Sequence, residues 1–154
     1  MFKRNLIFLI LLVFAVGFSQ NNQLWQGYFS YSKITDLSES TDNILASSEN
    51  AFFSKNLNTN DLKTTTSIDG LKAKSITSLY YSATVNKTFV GNQNGLLLVV
   101  NADGSIMYKK GILDEVPVSP VIKRINHFLE YNNKLFISCD YGITVFDLVK
   151  IGRA

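Results

Sequence analysis

The feature that most constrains this chain is an internal repeat of short strand-like runs separated by turn residues. One unit starts at Ile34-Thr-Asp-Leu37 and continues through Ile44-Leu-Ala-Ser47, a Ser48-Glu-Asn50 turn, Ala51 to Lys55, an Asn-rich turn and Leu62 to Ser67. A second starts at Ile76-Thr-Ser-Leu79 and runs through Thr88-Phe-Val-Gly91, an Asn92-Gln-Asn94 turn, Gly95 to Val100, Asp103-Gly104 and Ser105 to Lys109. A third starts at Ile125-Asn-His-Phe128, then Leu135 to Ser138, a Cys139-Asp-Tyr141 turn and Gly142 to Phe146. Second-strand starts at Ile44, Thr88 and Leu135 are 44 and 47 residues apart, and the positions after the central turn (Ala51, Gly95, Gly142) repeat the same spacing. The longer second interval has a local cause. The connection Gly111 to Lys123 holds both prolines, Pro117 and Pro120, and proline resists central strands, so this stretch is a loop.

A period in this range, with four short strands per unit, is the signature of a β-propeller. The fold class is therefore all-β: a partial propeller of antiparallel four-stranded blades near residues 34–67, 76–109 and 125–148. About two and three-quarter blades are present. A generic β-sandwich or open sheet is the competing architecture. Leu96 to Val100 is apolar at every position, as a strand covered on both faces must be. Asp103-Gly104 supplies the positive φ values that a tight hairpin turn needs.

Residues 1–19 read as a cleaved export signal. Lys3 and Arg4 form a basic start, 11 apolar residues follow from Leu6 to Val16, and Gly17-Phe18-Ser19 places the cut before Gln20. The apolar run is short for a membrane span, which needs about 20 residues. Cleavage leaves 135 residues, and the formal net charge falls from +3 to +1. That balance does not suggest a nucleic-acid partner. The lone Cys139 excludes an intrachain disulfide framework and reads as a small buried hydrophobe, with an intermolecular disulfide as the alternative. The ending Lys150 to Ala154 has no strand character and reads as a tail outside the propeller, which occupies residues 20–149.

The search for chemistry returns no catalytic, cofactor-binding or metal-binding residue. His127, the single histidine, reads as a structural or partly exposed strand residue with no paired nucleophile. Gly91-Asn-Gln-Asn-Gly95 has no following Lys-Ser or Lys-Thr and suits a hairpin better than a phosphate loop. Asp114 and Glu115 are adjacent, point apart in an extended chain and read as a solvated loop. The basic pairs Lys109-Lys110 and Lys123-Arg124 flank the same loop. Solvated surface is the plain reading of these pairs, and an anion-binding edge for lipopolysaccharide phosphate is the sharper one.

Asp69-Gly70-Leu71, Ile76 and Gly91-Asn-Gln-Asn-Gly95-Leu96 resemble the repeat of two-component-regulator propellers. The opening Trp25 to Tyr31 with Ile34-Thr-Asp36, Ser48-Glu-Asn-Ala-Phe52 and Lys123-Arg-Ile-Asn-His-Phe128 is more particular. Together these resemble the amino-terminal propeller of the PorZ family, components of the type IX secretion system of Bacteroidetes. The resemblance implies an exported, non-enzymatic scaffold or binding protein without a cofactor, in the periplasm or at the outer-membrane surface. Its implied partners are a sortase-like protease complex, other components of the system and anionic lipopolysaccharide. Members of that family are longer, with a second propeller and a sorting domain, so this sequence reads as a truncated member. A periplasmic sensor propeller of a hybrid two-component regulator, binding oligosaccharide, is the alternative. Stacked repeats with open ends leave apolar faces uncovered, so the isolated chain is expected to be marginal or aggregation-prone. Trp25 to Tyr31 carries four aromatics in seven residues and could serve as an end strand completing a last blade.

Overall fold

The structure, a computed structural model, describes residues 33–72 and 75–151. The export signal and the aromatic segment Trp25 to Tyr31 lie outside the described residues.

Eleven strands form three antiparallel sheets. The first blade is β1 (Ile34–Glu39), β2 (Asn43–Ser48), β3 (Phe52–Asn56) and β4 (Leu62–Thr65), paired in that order. The second is β5 (Ile76–Ser82), β6 (Lys87–Asn92), β7 (Leu97–Asn101) and β8 (Ile106–Lys109). The third is β9 (Ile125–Tyr131), β10 (Lys134–Cys139) and β11 (Gly142–Asp147), followed by the single helical turn α1 (Leu148–Ile151). The inner strands β1, β5 and β9 pack side by side, as in a fan of blades. The architecture is the partial propeller that the repeat predicts.

Each inner strand carries a bulge at the same place. Pairing slips between Ile34 and Asp36 in β1, between Ile76 and Ser78 in β5, and between Ile125 and His127, opposite Cys139 and Ser138, in β9. Of the extra residues, Thr35 and Asn126 use their polar side chains within their own blade, and Thr77 reaches a carbonyl of the third. Thr35 Oγ1 meets Ser47 Oγ at 2.8 Å, and Asn126 Nδ2 donates to Asp140 Oδ1 at 2.7 Å. A bulge bends its strand and raises the local twist, so three bulges in register turn each blade by the same device.

Two apolar clusters fill the gaps between blades. Leu45 and Phe52 of the first sheet meet Leu79, Val90 and Leu98 of the second. Phe89, Leu97 and Val99, on the opposite face of the second sheet, meet Phe128, Leu135 and Ile137 of the third. The middle blade is thus buried on both sides, and Leu97, Leu98 and Val99 are all fully buried. Leu148 and Ile151 are also buried in the second cluster. The sequence-based tail boundary therefore falls inside a packed helical turn.

The turns follow the local sequence with one correction. Asp103-Gly104 is not a two-residue turn with two positive φ values, because only Gly104 is left-handed, at φ 87°. The loop spans Ala102 to Gly104. Asn101 N–H donates to Ser105 O at 2.9 Å and Gly104 N–H donates to Asn101 O at 2.9 Å, which is a three-residue hairpin loop ending in a left-handed glycine. Ser105, through hydroxyl and amide, hydrogen-bonds the Asp103 carboxylate and holds it below its ordinary pKa. The mirror-image two-residue turn occurs instead between β9 and β10, where Asn132 and Asn133 have φ of 48° and 58°.

At Gly91 the second blade lies tight against Ile125 of the third. A Cβ there would lie 2.5 Å from both Ile125 Cγ2 and Ser78 Oγ. Neither is the end of a long flexible chain, so the blades themselves would have to move. Gly91→Ala is expected to destabilise the fold by about 1–3 kcal/mol through overpacking, read as a lower urea midpoint with an unchanged slope. An unchanged midpoint would show that the two blades are not in this contact.

Candidate functional site

Side chains of one inner strand satisfy the backbone of the next. Asp36 accepts from Leu79 N–H through Oδ2 at 2.8 Å, while its Oδ1 accepts from Leu37 N–H at 2.8 Å. Ser38 Oγ accepts from Tyr81 N–H at 2.9 Å. Between the second and third blades, Thr77 Oγ1 donates to Ile125 O at 2.5 Å and Tyr80 Oη donates to Glu130 Oε2 at 3.3 Å. Asp36, Ser78 and His127 occupy the same place after the three bulges. Ser78 is buried, and among the described residues its hydroxyl has no hydrogen-bond partner. His127 is exposed on the outward face of the third blade. The lone histidine is thus a strand residue in the position from which Asp36 reaches the following blade, and its cross-strand neighbour is Ser138.

At the far ends of the inner strands the hairpins surround an open cleft of about 790 Å³. Glu39, Tyr80, Tyr81, Thr84, Glu130 and Tyr131 are among its lining residues. Glu130 is fixed by two donors, Tyr80 Oη and Thr84 Oγ1. Burial first, and the neighbouring Glu130 carboxylate second, push the Tyr80 phenol above its ordinary pKa, so it remains a protonated donor. Among the described residues the lining holds two carboxylates and no cation, so this part of the mouth is acidic and aromatic. Sequence reasoning did not bring these residues together. The available signal was the recurrence of polar residues at the end of each inner strand, Glu39, Tyr81 and Glu130.

The basic pairs lie elsewhere and are not equivalent. Lys110 and Arg124 are exposed and Lys109 is half-buried. Lys123 is only 4% exposed, which corrects its reading as solvated surface. Its stem packs against Gly95, and its ammonium donates to Leu113 O at 2.6 Å, tying down the proline-containing loop. Asp114 and Glu115 are exposed on that loop, as expected. Among the described residues no group of three His, Cys, Asp or Glu side chains could hold a metal ion. No helix among them is long and apolar enough to cross a membrane. Cys139 is 7% exposed within the second apolar cluster, and burial raises its thiol pKa.

This arrangement defines a segment of a repeat β-propeller. Residues 44–151 match the family model described as the type IX secretion system PorZ N-terminal β-propeller domain, and the chain belongs to that family. No curated protein matches it. Among solved structures, PorZ of Porphyromonas gingivalis, described as an essential bacterial surface component of the type-IX secretion system, superposes with a TM-score of 0.72 at 18% identity. That match covers 82% of this chain and 17% of PorZ, so the chain spans about a sixth of its relative's length. The extracellular domain of BT4673 from B. thetaiotaomicron, assigned to a one component system, gives a TM-score of 0.61 at 18% identity over 84% of this chain and 17% of that one. BamB from Moraxella catarrhalis gives 0.52 at 18% identity over 71% and 30%.

Two outcomes follow from this geometry. Asp36→Ala leaves the Leu79 amide without its acceptor and is expected to cost about 1–3 kcal/mol, while Asp36→Asn, which keeps one acceptor oxygen, costs less. Urea unfolding of the two variants side by side checks this, and equal stability of Asp36→Ala and wild type would show the bond to be dispensable. The Cys139 thiol is expected to resist a thiol reagent at pH 8 in the folded chain and to react at the rate of an ordinary cysteine in urea. Rapid labelling under native conditions would contradict its burial.

Proposed function

We propose that this chain is a non-enzymatic scaffold or binding module of the type IX protein secretion machinery, working at the outer-membrane surface. The observation that carries this reading is the family match over residues 44–151. The physical support is the character of the surfaces. A fan of rigid sheets presents hairpin ends and loops at fixed spacing, which suits the positioning of partners rather than bond-making. The partners on this reading are the sortase-like protease complex and its companion components, with anionic lipopolysaccharide as the material handled.

The acidic cleft at the hairpin ends is a poor place for that polyanion, since Glu39 and Glu130 would repel its phosphates. The exposed cations Lys110 and Arg124, on either side of the loop, are the better edge. Lys123 contributes structure rather than charge.

A tagged copy in the cell of origin tests the assignment. Co-purification with type IX components and loss of cargo secretion on deletion support it. Normal secretion on deletion, with a transcriptional response to oligosaccharide lost instead, would replace it by the sensor reading. For the lipopolysaccharide edge, Lys110→Glu combined with Arg124→Glu is expected to lower binding to purified anionic lipopolysaccharide at least several-fold. Unchanged binding would remove that edge from the proposal.

A further inference from the structure

The gap between the first and second blades can be compared, position by position, with the gap between the second and third. In the latter, the cross-strand row Phe89, Val99 and Met107 packs in one apolar cluster with Leu135 of the third blade. Phe89, Val99 and Leu135 are fully buried there. The counterpart row in the first gap is Leu45, Ser54 and Lys63, and Thr88 stands where the third blade has Leu135. Three of the four apolar residues are thus replaced by polar ones, and the gap opens into a groove of about 240 Å³. Leu45, Phe52 and Val100, each less than a tenth exposed, give it an apolar floor. Thr65 and Thr88 line it at 8% and 9% exposure, and among the described residues neither hydroxyl has a hydrogen-bond partner. A buried polar group without a partner costs stability. The repeat itself shows the alternative, since valine, methionine and leucine close the equivalent gap.

We propose that this groove binds one sugar unit that carries an acidic substituent, a carboxylate or a phosphate. A sugar ring matches each part of the lining. Its C–H face rests on the floor at Phe52 and Val100. Its hydroxyls, donor and acceptor at once, satisfy Thr65 and Thr88. Among the described residues the lining holds one cation, Lys63, and no carboxylate, so the acidic group pairs with that ammonium. Ser40 and Tyr81 line both the groove and the hairpin-end cleft, so the groove opens from the cleft. The acidic group nevertheless sits away from the carboxylates of the cleft. Lys63 is on β4 and Glu39 on β1, three strand spacings or about 14 Å across the sheet. That exceeds the screening length of about 8–10 Å at physiological salt. The site is separate from the exposed edge at Lys110 and Arg124, and it does not depend on the secretion reading.

Titration of the full isotope-labelled chain with methyl glucuronide and with glucose 1-phosphate, followed by amide chemical shifts, tests the site. The expected result is saturable shifts at Ser54, Lys63 and Thr88 with at least one of the two. Methyl glucoside, the neutral counterpart, is expected to bind several-fold more weakly. Lys63→Met, an exposed substitution, is expected to bring the acidic sugar down to the affinity of the glucoside. Thr88→Val keeps the side-chain shape and is expected to weaken all three sugars several-fold while the urea midpoint holds or rises. A hydroxyl with a merely structural role would instead lower the midpoint and leave binding intact, which overturns the proposal. Absence of saturable shifts with both acidic sugars overturns it, as does equal affinity for the glucoside. Inorganic phosphate moving the same amides as strongly as the sugars marks a simple anion site and overturns it too. Should Thr88→Val fail to fold, the wild-type titrations and Lys63→Met decide the matter by the same outcomes.

Discussion

A four-stranded sheet with apolar residues on both faces has no stable existence by itself, and everything in this chain follows from how those faces are covered. Leu97, Leu98 and Val99 are consecutive and all fully buried, so β7 must be roofed from two sides. The first blade covers one face with Leu45 and Phe52, and the third covers the other with Phe128, Leu135 and Ile137. Burial of this kind is non-directional. It would hold two sheets together at many angles. Direction comes from the hydrogen bonds of the inner strands, where Asp36 receives the Leu79 amide and Thr77 reaches the Ile125 carbonyl. Apolar area supplies the attraction, and a few polar side chains at bulged positions fix the angle between blades.

The bulge explains why the repeat was so legible. Ile-Thr-Asp, Ile-Thr-Ser and Ile-Asn-His mark the same backbone event three times, and each is followed after a fixed interval by a central strand and a turn. Strand positions could therefore be read from local residues alone, because turn formers and β-branched runs act within a few residues of themselves. What each side chain does after the bulge was not legible. The third residue bridges to the next blade as aspartate, is buried unpartnered as serine, and faces outward as histidine. Those outcomes depend on a neighbour some forty residues away.

Two misreadings have the same origin. Lys123 looked like half of a solvated basic pair, and its neighbour Arg124 is indeed exposed. Its burial depends on the surface offered by Gly95, far back in the preceding blade, and on a carbonyl in the loop it closes. A lysine has a long apolar stem, so position in sequence says little about where the ammonium ends. Asp103-Gly104 was read as two left-handed residues, yet the strands pair at Asn101 and Ser105, which adds a third residue to the loop. Loop length is set by strand register, and register is a property of the sheet.

Charge separates the candidate surfaces by what they can hold. The hairpin-end cleft concentrates Glu39 and Glu130 among tyrosines, and the Tyr80 phenol is kept protonated there by burial and by the carboxylate it serves. Such a mouth offers acceptors and aromatic faces, and its carboxylates oppose the approach of a phosphate. The loop between the second and third blades has the opposite sign at its two ends, with Lys110 and Arg124 exposed, but it also carries Asp114 and Glu115. An anion approaching it meets a mixed field that weakens within about 8–10 Å at physiological salt. Affinity for a polyanion at this edge must then come from short contacts with particular cations, and the internal Lys123 leaves fewer of them than the sequence advertises.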